Sequence, residues 1–379
     1  MNLLYDLTAT QPNTSGKFHG GGKYAIVVFF ELLKRNINIE CVWNSSKYMR
    51  EDIVEICEKN SIILHDVLYE SLENIIDNSK YDIYYSALAG IYPWFANKQT
   101  KYVGTIHGLR GLETPNDIYS WIKYNLSIRE KAGKFFNWLT AGKRQKKYTD
   151  AWIMQENFSF ITVSKHTKNS ILAYYPSIKE KDIKVFYSPS TSINRKDTKP
   201  YSLEKYFLMV SGNRPEKNVL RALLALDELF SERKEFVNFR VYVTGATSKS
   251  YKCKFVNKDK FYFLNYVSED VLDSLYAGAF CFIYPSLNEG FGYPPIEAMN
   301  YNVPVLASPF SSIYEVCNNA AIYFNPFSVK EIKARILEIV SDFNLYNEMC
   351  DKGKQRFDYI SQRQSDDLKA LVDHIIGLI

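Results

Sequence analysis

Short apolar runs alternate with amphipathic stretches from one end of the chain to the other. Leu3–Tyr5, Asn38–Trp43, Ile83–Ser86, Tyr102–Ile106, Phe160–Val163 and Ile183–Tyr187 read as strands. Between them, Tyr24–Arg35, Tyr48–Asn60, Asp117–Asp150 (broken at Gly133 and Gly142) and Lys165–Tyr174 read as helices; in the first, Ile26, Phe29, Phe30 and Leu33 share one face. Ser188–Lys205 is polar, holds two prolines and has no apolar period, which marks a linker. Beyond it the alternation restarts, with strands at Phe207–Val210, Phe239–Val243, Phe261–Leu264, Phe280–Tyr284, Pro304–Ala307 and Ala321–Phe324. Helices are expected at Asn218–Phe230 and Glu269–Ala277, and from there to the C-terminus. Such alternation predicts parallel sheets flanked by helices: two α/β domains, 1–190 and 200–360, with a cleft facing the carboxyl ends of both sheets.

The length of 379 residues is enough for two domains, each with its own core. Apolar residues at 46% and charged residues at 23% describe a globular chain, not a disordered one. No uncharged apolar run is long enough to span a bilayer. The N-terminus carries Asp6 and no basic region, so no secretory signal and a cytoplasmic location are expected. Six scattered cysteines lack metal-ligand spacing and read as small core hydrophobes. The net charge of +5 does not call for nucleic acid, but its distribution is uneven. Eight basic residues face one acid, Glu130, between Lys123 and Lys147. With Phe135, Phe136 and Trp138 among them, the segment 122–148 suits either an anionic bilayer surface or a solvated helix face.

The densest chemistry lies in Pro285–Met299, a Gly-containing turn between a buried strand and a helix, with Glu289 and Glu297 at its two ends. Pro294 and Pro295 suit a first helical turn, where a missing N–H costs nothing. Glu297 is expected in that turn, kept ionised by the helix dipole and able to accept from vicinal hydroxyls. Backbone N–H groups around Gly290, Phe291 and Gly292 are expected to face an anion or a hydroxyl-rich ligand. Arg214 and Lys217 follow a strand and precede a helix, and two cations three residues apart suit a diphosphate. Gly20–Gly22 form a loop, with Gly21 and Gly22 able to approach a phosphate or sugar closely. The spacing is neither that of a P-loop nor GxGxxG. His107 ends a buried strand at its carboxyl end. No DxD occurs in the chain.

Glu289-x7-Glu297, followed by Val303-Pro304-Val305 and Ser311–Val316, resembles the C-terminal signature of retaining GT-B glycosyltransferases of the group 1 (family 4) type. Val210–Asn218 resembles that family's segment in which an Arg and a Lys hold the donor diphosphate. Val163–Lys168 resembles the "VSxxTK" segment closing its first domain, and Thr105–Gly108 its first-domain His. Asn302 stands where the family usually has Gly, and Tyr314 where it has Pro, both at turns.

The resemblance implies the GT-B fold, two Rossmann-like domains facing a cleft, with the helix at about 361–379 packing back on the first domain. It implies transfer of a sugar, with retention, from a nucleotide-diphosphate donor to a hydroxyl acceptor, a lipid-linked or surface-polysaccharide glycan. Arg214 and Lys217 would hold the diphosphate, His107 and Glu289 the sugar, and Glu297 the ribose hydroxyls. Gly21, Gly22, Gly290, Phe291 and Gly292 would line the donor. No cofactor and no metal are expected. Lipid-linked acceptors favour the bilayer reading of 122–148, peripheral on the inner membrane face. The competing readings are a two-lobed sugar- or nucleotide-binding protein without turnover, and a GT-B phosphorylase or epimerase.

Overall fold

A strand covered by helices on both faces needs an apolar residue at nearly every position, which is why these strands read as runs and do not alternate. The computed structural model describes residues 2–12, 20–78, 81–90, 99–114, 127–155, 157–190 and 198–378, without the side chains of 134–142. The chain divides into two units: Met1–Leu109 with Lys143–Thr191 and Gln362–Ile379, and Arg110–Gly142 with Ser192–Ser361.

The first unit is built on seven parallel strands: β1 (Asn2–Asp6), β2 (Asn38–Trp43), β3 (Leu64–Asp66), β4 (Ile83–Ser86), β5 (Lys101–Ile106), β6 (Phe158–Thr162) and β7 (Ile183–Val185). Their order is β3-β2-β1-β4-β5-β6-β7, so the winding reverses between β1 and β4. Leu3, Leu4 and Tyr5 of β1 and Ile83, Tyr84 and Tyr85 of β4 are wholly buried. Ser164 caps the helix Lys165–Tyr174 by accepting from the Thr167 N–H at 3.1 Å. The C-terminal residues of this unit are tied down by named bonds. Asp367 accepts from the Tyr187 N–H at 2.7 Å, Gln364 donates to the Ser188 carbonyl at 2.5 Å, and Lys101 donates to the Leu378 carbonyl at 2.7 Å.

The second unit has six parallel strands: β8 (Lys205–Met209), β9 (Phe239–Thr244), β10 (Phe261–Leu264), β11 (Cys281–Tyr284), β12 (Val305–Ala307) and β13 (Ala321–Tyr323). Their order, β10-β9-β8-β11-β12-β13, reverses between β8 and β11. Phe207, Met209, Val241, Cys281, Ile283 and Leu306 join one core with Leu223, Leu226 and Leu229 of the helix Val219–Glu232 and with Ile332 and Ile336 of Val329–Ser341. Ser328 caps the latter helix, accepting from the Glu331 N–H at 3.1 Å.

Three expectations change. Gly20–Gly22 are not a loop: the helix begins at Gly20 and runs to Leu32, with the glycines as its first turn. Gly133 and Gly142 do not break the helix Ile128–Ile153. One glycine costs a helix only about 1 kcal/mol, and the Lys, Ala, Arg and Gln around them are good helix formers. The terminal helix starts at Phe343, not near Ser361, and continues to Ile376. β3 and the helix Leu72–Asn78 carry too few residues to show a period. The part of the expected basic helix at 117–126 lies outside the described residues. No described helix is long and apolar enough to cross a membrane.

Gly212 follows β8 where the chain passes close over β9. An added Cβ would lie 2.6 Å from Val243 Cγ1 and 2.8 Å from the Tyr251 hydroxyl, which itself donates to the Gly212 carbonyl at 2.6 Å. Gly212→Ala is therefore expected to destabilise by about 1–3 kcal/mol through overpacking, read as a lower denaturant midpoint with unchanged slope. A midpoint equal to wild type would show that the two loops separate freely there.

Candidate active site

Ligands of open α/β sheets bind beyond the carboxyl ends of the strands where the winding reverses. In the second sheet those ends are the loops after β8 and β11, and they carry Arg214, Lys217 and Glu289. Pro215–Lys217 form a single 3-10 turn, which puts Arg214 at its start and Lys217 at its end. Asn218 then adopts a left-handed backbone (φ 55°), a conformation Asn tolerates better than most residues. Its buried side chain joins three loops: Nδ2 donates to the carbonyls of Pro285 (3.1 Å) and Pro326 (2.7 Å), and Oδ1 accepts from Arg221 at 2.7 Å. The Leu287 N–H donates to the Glu216 carbonyl at 2.9 Å, so the two site loops are bonded directly.

At the centre, Lys217 and Glu289 form a buried ion pair, Nζ to Oε1 at 2.6 Å. Tyr284 lies between them, accepting from Lys217 at 2.9 Å and donating to Glu289 Oε1 at 2.7 Å. Ser286 Oγ donates to the same oxygen. Arg214 donates to Glu216 Oε1 through Nε (2.9 Å) and Nη2 (2.6 Å). Arg110, on the four-residue helix Arg110–Glu113, reaches both acids: Glu216 Oε1 at 3.6 Å and Glu289 Oε2 at 3.5 Å. Burial pushes the Glu289 carboxyl up, but the charges of Lys217 and Arg110 and the bonds from Lys217 and Ser286 overcome it and hold its pKa at about 2. Glu216 is lowered too: burial opposes, and the Arg214 and Arg110 charges prevail.

The loop Pro285–Gly292 is held from the far side by serines. Ser311 Oγ accepts from the Glu289 N–H at 2.7 Å, and Ser312 Oγ donates to the carbonyls of Glu289 (2.9 Å) and Phe291 (2.8 Å). Ser311 adopts φ 52° and ψ −134°, a strained conformation of order 1–3 kcal/mol that these bonds maintain. Gly292 (φ 102°) turns the chain into the helix Tyr293–Asn300. Because that helix opens at Tyr293, Glu297 is its fifth residue and lies in the second turn, not the first as expected. It accepts a hydrogen bond from the Tyr276 hydroxyl at 3.1 Å. Asn302 has φ 57°, which accounts for an Asn standing at a glycine position.

His107, Gly21 and Gly22 belong to the first unit, at the carboxyl ends of its strands. His107 Nε2 lies 2.9 Å from the Ala87 carbonyl, and its ring meets Tyr24 edge-on at 4.7 Å. Gly21 packs against the side chain of Leu88, the next residue after Ala87. The sequence reading missed Arg110, Glu216, Tyr284, Ser286, Ser311 and Ser312. Glu216 and Tyr284 were legible as neighbours of chosen residues; Arg110 carries no local signal.

Residues 190–356 match the family described as glycosyl transferases group 1. The O-antigen chain mannosyltransferase RfbU of Salmonella typhimurium is 32% identical over 244 residues, which are 59% of this chain and 64% of the relative. This chain thus spans less than two thirds of that curated relative's length. Among solved structures, WaaG, a glycosyltransferase involved in lipopolysaccharide biosynthesis, superposes with a TM-score of 0.65 at 12% identity over 99% of this chain and 100% of that one. Anabaena HepE in complex with UDP and glucose gives 0.63 at 14% identity over 100% of both. The chain has the GT-B fold of glycosyltransferases.

Removing one partner of a buried pair strands the other. Lys217→Met is expected to cost about 3–5 kcal/mol, measured by chemical denaturation at neutral pH. The depressed Glu289 pKa contributes about 3 kcal/mol that is present above the ordinary carboxylate pKa and is lost as pH falls from there toward about 2. Glu289→Gln should flatten that acid limb of the stability profile. An unchanged limb would mean that Glu289 is not held ionised by its neighbours.

Proposed function

We propose that the chain is a retaining glycosyltransferase that moves a sugar from a nucleotide-diphosphate donor to a hydroxyl of a growing surface glycan. The observation that carries this reading is the buried Lys217–Glu289–Tyr284 cluster with Arg214, set at the winding reversal of the second sheet inside the matched family region. The names of the relative and of the neighbouring structures point the same way, and RfbU makes mannose the first sugar to try.

In this reading the hard step is departure of the diphosphate. The anomeric C–O bond breaks with its electron pair going to the phosphate oxygen. Arg214 and Lys217 meet the charge that develops there, and no metal is required for it. Preorganised donors of this kind typically contribute about 3 kcal/mol each to the barrier. Glu289 Oε1 is already taken by Lys217, Tyr284 and Ser286, so Oε2 is the oxygen left to receive a sugar hydroxyl. Glu297 takes the ribose hydroxyls, and Gly290–Gly292 lie along the donor. No side chain is assigned as general base; the departing phosphate oxygen takes the acceptor's proton.

The acceptor is a glycan, lipid-linked in this reading, on the cytoplasmic side of the membrane. Arg129, Lys143, Arg144 and Lys147 are exposed on the helix Ile128–Ile153 and would contribute about 1 kcal/mol each beside anionic lipid.

Thermal shifts with UDP, GDP, dTDP, ADP and CMP test the reading on wild type and Glu297→Ala. A ligand at 100 times its Kd stabilises by about 2.7 kcal/mol, a visible rise in Tm. One diphosphate should raise the wild-type Tm and fail to raise that of the variant. No shift with any of them would remove the basis for a nucleotide-sugar donor.

A further inference from the structure

Three cations of the site share two carboxylates: Arg214 pairs with Glu216 and Lys217 with Glu289, so Arg110 has neither of these acids to itself. The three cations are also held differently. Lys217 and Arg214 sit at 2.6 Å from their acids, hydrogen-bond distance for an ion pair. Arg110 straddles Glu216 Oε1 and Glu289 Oε2 at 3.6 and 3.5 Å, too long for hydrogen bonds, and its side chain is 40% exposed against 7% for Lys217. Its backbone is nevertheless tethered. Asn288, buried in the loop that carries Glu289, donates to Glu113 Oε2 at 2.9 Å, which fixes the Arg110–Glu113 turn beside the site.

A cation that is close, solvent-facing and loosely paired is placed to change partners. Two carboxylates fixed by their own bonds offer Arg110 two separate single oxygens. A diphosphate offers adjacent oxygens that a planar guanidinium takes bidentately at shorter distance. We propose that Arg110 is a third diphosphate-binding residue, which transfers from Glu216 and Glu289 to the phosphate oxygens when an anion arrives. The transfer also frees Glu289 Oε2, whose only charged partner among the described residues is Arg110. Diphosphate binding and exposure of the carboxylate oxygen are thereby coupled in one movement. This inference rests on the donor-site reading above for the identity of its anion.

The test is calorimetric titration of wild type, Arg110→Gln and Arg110→Lys with inorganic pyrophosphate and with the nucleoside diphosphates. Arg110→Gln removes one of the charges that hold Glu289 and Glu216 ionised, so its Tm without ligand is expected to fall modestly, and a cooperative melt shows that it is folded before it is titrated. Its pyrophosphate Kd should rise by about tenfold or more, with Arg110→Lys between the two because it keeps the charge and loses the fork. Arg110→Gln binding pyrophosphate and nucleoside diphosphate as tightly as wild type would overturn the inference while leaving the donor reading intact. Pyrophosphate binding that depends on Arg110 but gains nothing from any nucleoside would support the inference and count against the donor reading. A wild type that binds none of these anions would overturn both.

Discussion

Everything at this site hangs on one buried ion pair. Lys217 and Glu289 come from loops after two different strands, and neither charge is tolerable in that environment without the other. Against burial, the charges of Lys217 and Arg110 and the bonds from Lys217 and Ser286 keep the acid ionised far below its ordinary range, and Tyr284 donates to the same carboxylate oxygen. Such a pair adds little to net stability when compared with apolar side chains of the same shape. Its consequence is geometric: it fixes the register of the β8 and β11 loops against each other, and with it the positions of Arg214 and Arg110.

The sheet order makes that pairing possible. Because β8 and β11 are neighbours but their connections run to opposite edges, the space above their carboxyl ends is not crossed by a crossover connection. The two loops can therefore meet there, sealed by Asn218 below and by Ser311 and Ser312 beside them. Local rules are broken at those joints. Ser211, Asn218 and Ser311 all take positive φ without being glycine. Strain gathered around one cluster of charges, and compensated by hydrogen bonds, marks a place where position outweighs local preference.

Most of the architecture was legible because parallel strands announce themselves as apolar runs, and twelve of them fall where the periodicity puts them. What escaped was set by tertiary context. β3 has three half-buried residues and no pattern of its own. Gly133 and Gly142 look like helix breaks, yet the surrounding helix formers outweigh them. Gly20–Gly22 look like a loop until the helix is seen to include them. In the site, Arg214, Lys217 and Glu289 were readable from motif spacing, but their pairing was not. Spacing places residues on loops, whereas the partner of a charge depends on which loops touch. Arg110 illustrates the limit: it lies 179 positions before Glu289 and joins it only through the fold.

The central claim is that the Lys217–Glu289 pair organises a diphosphate site and is more than a strut between loops. Titrating the double variant Lys217→Met with Glu289→Leu with the nucleoside diphosphate that best stabilises the wild type tests it directly. Neutral apolar replacement of both partners should leave the protein folded. The account predicts that this folded variant loses diphosphate binding by two orders of magnitude or so, about 3 kcal/mol. A folded variant with wild-type affinity would contradict it.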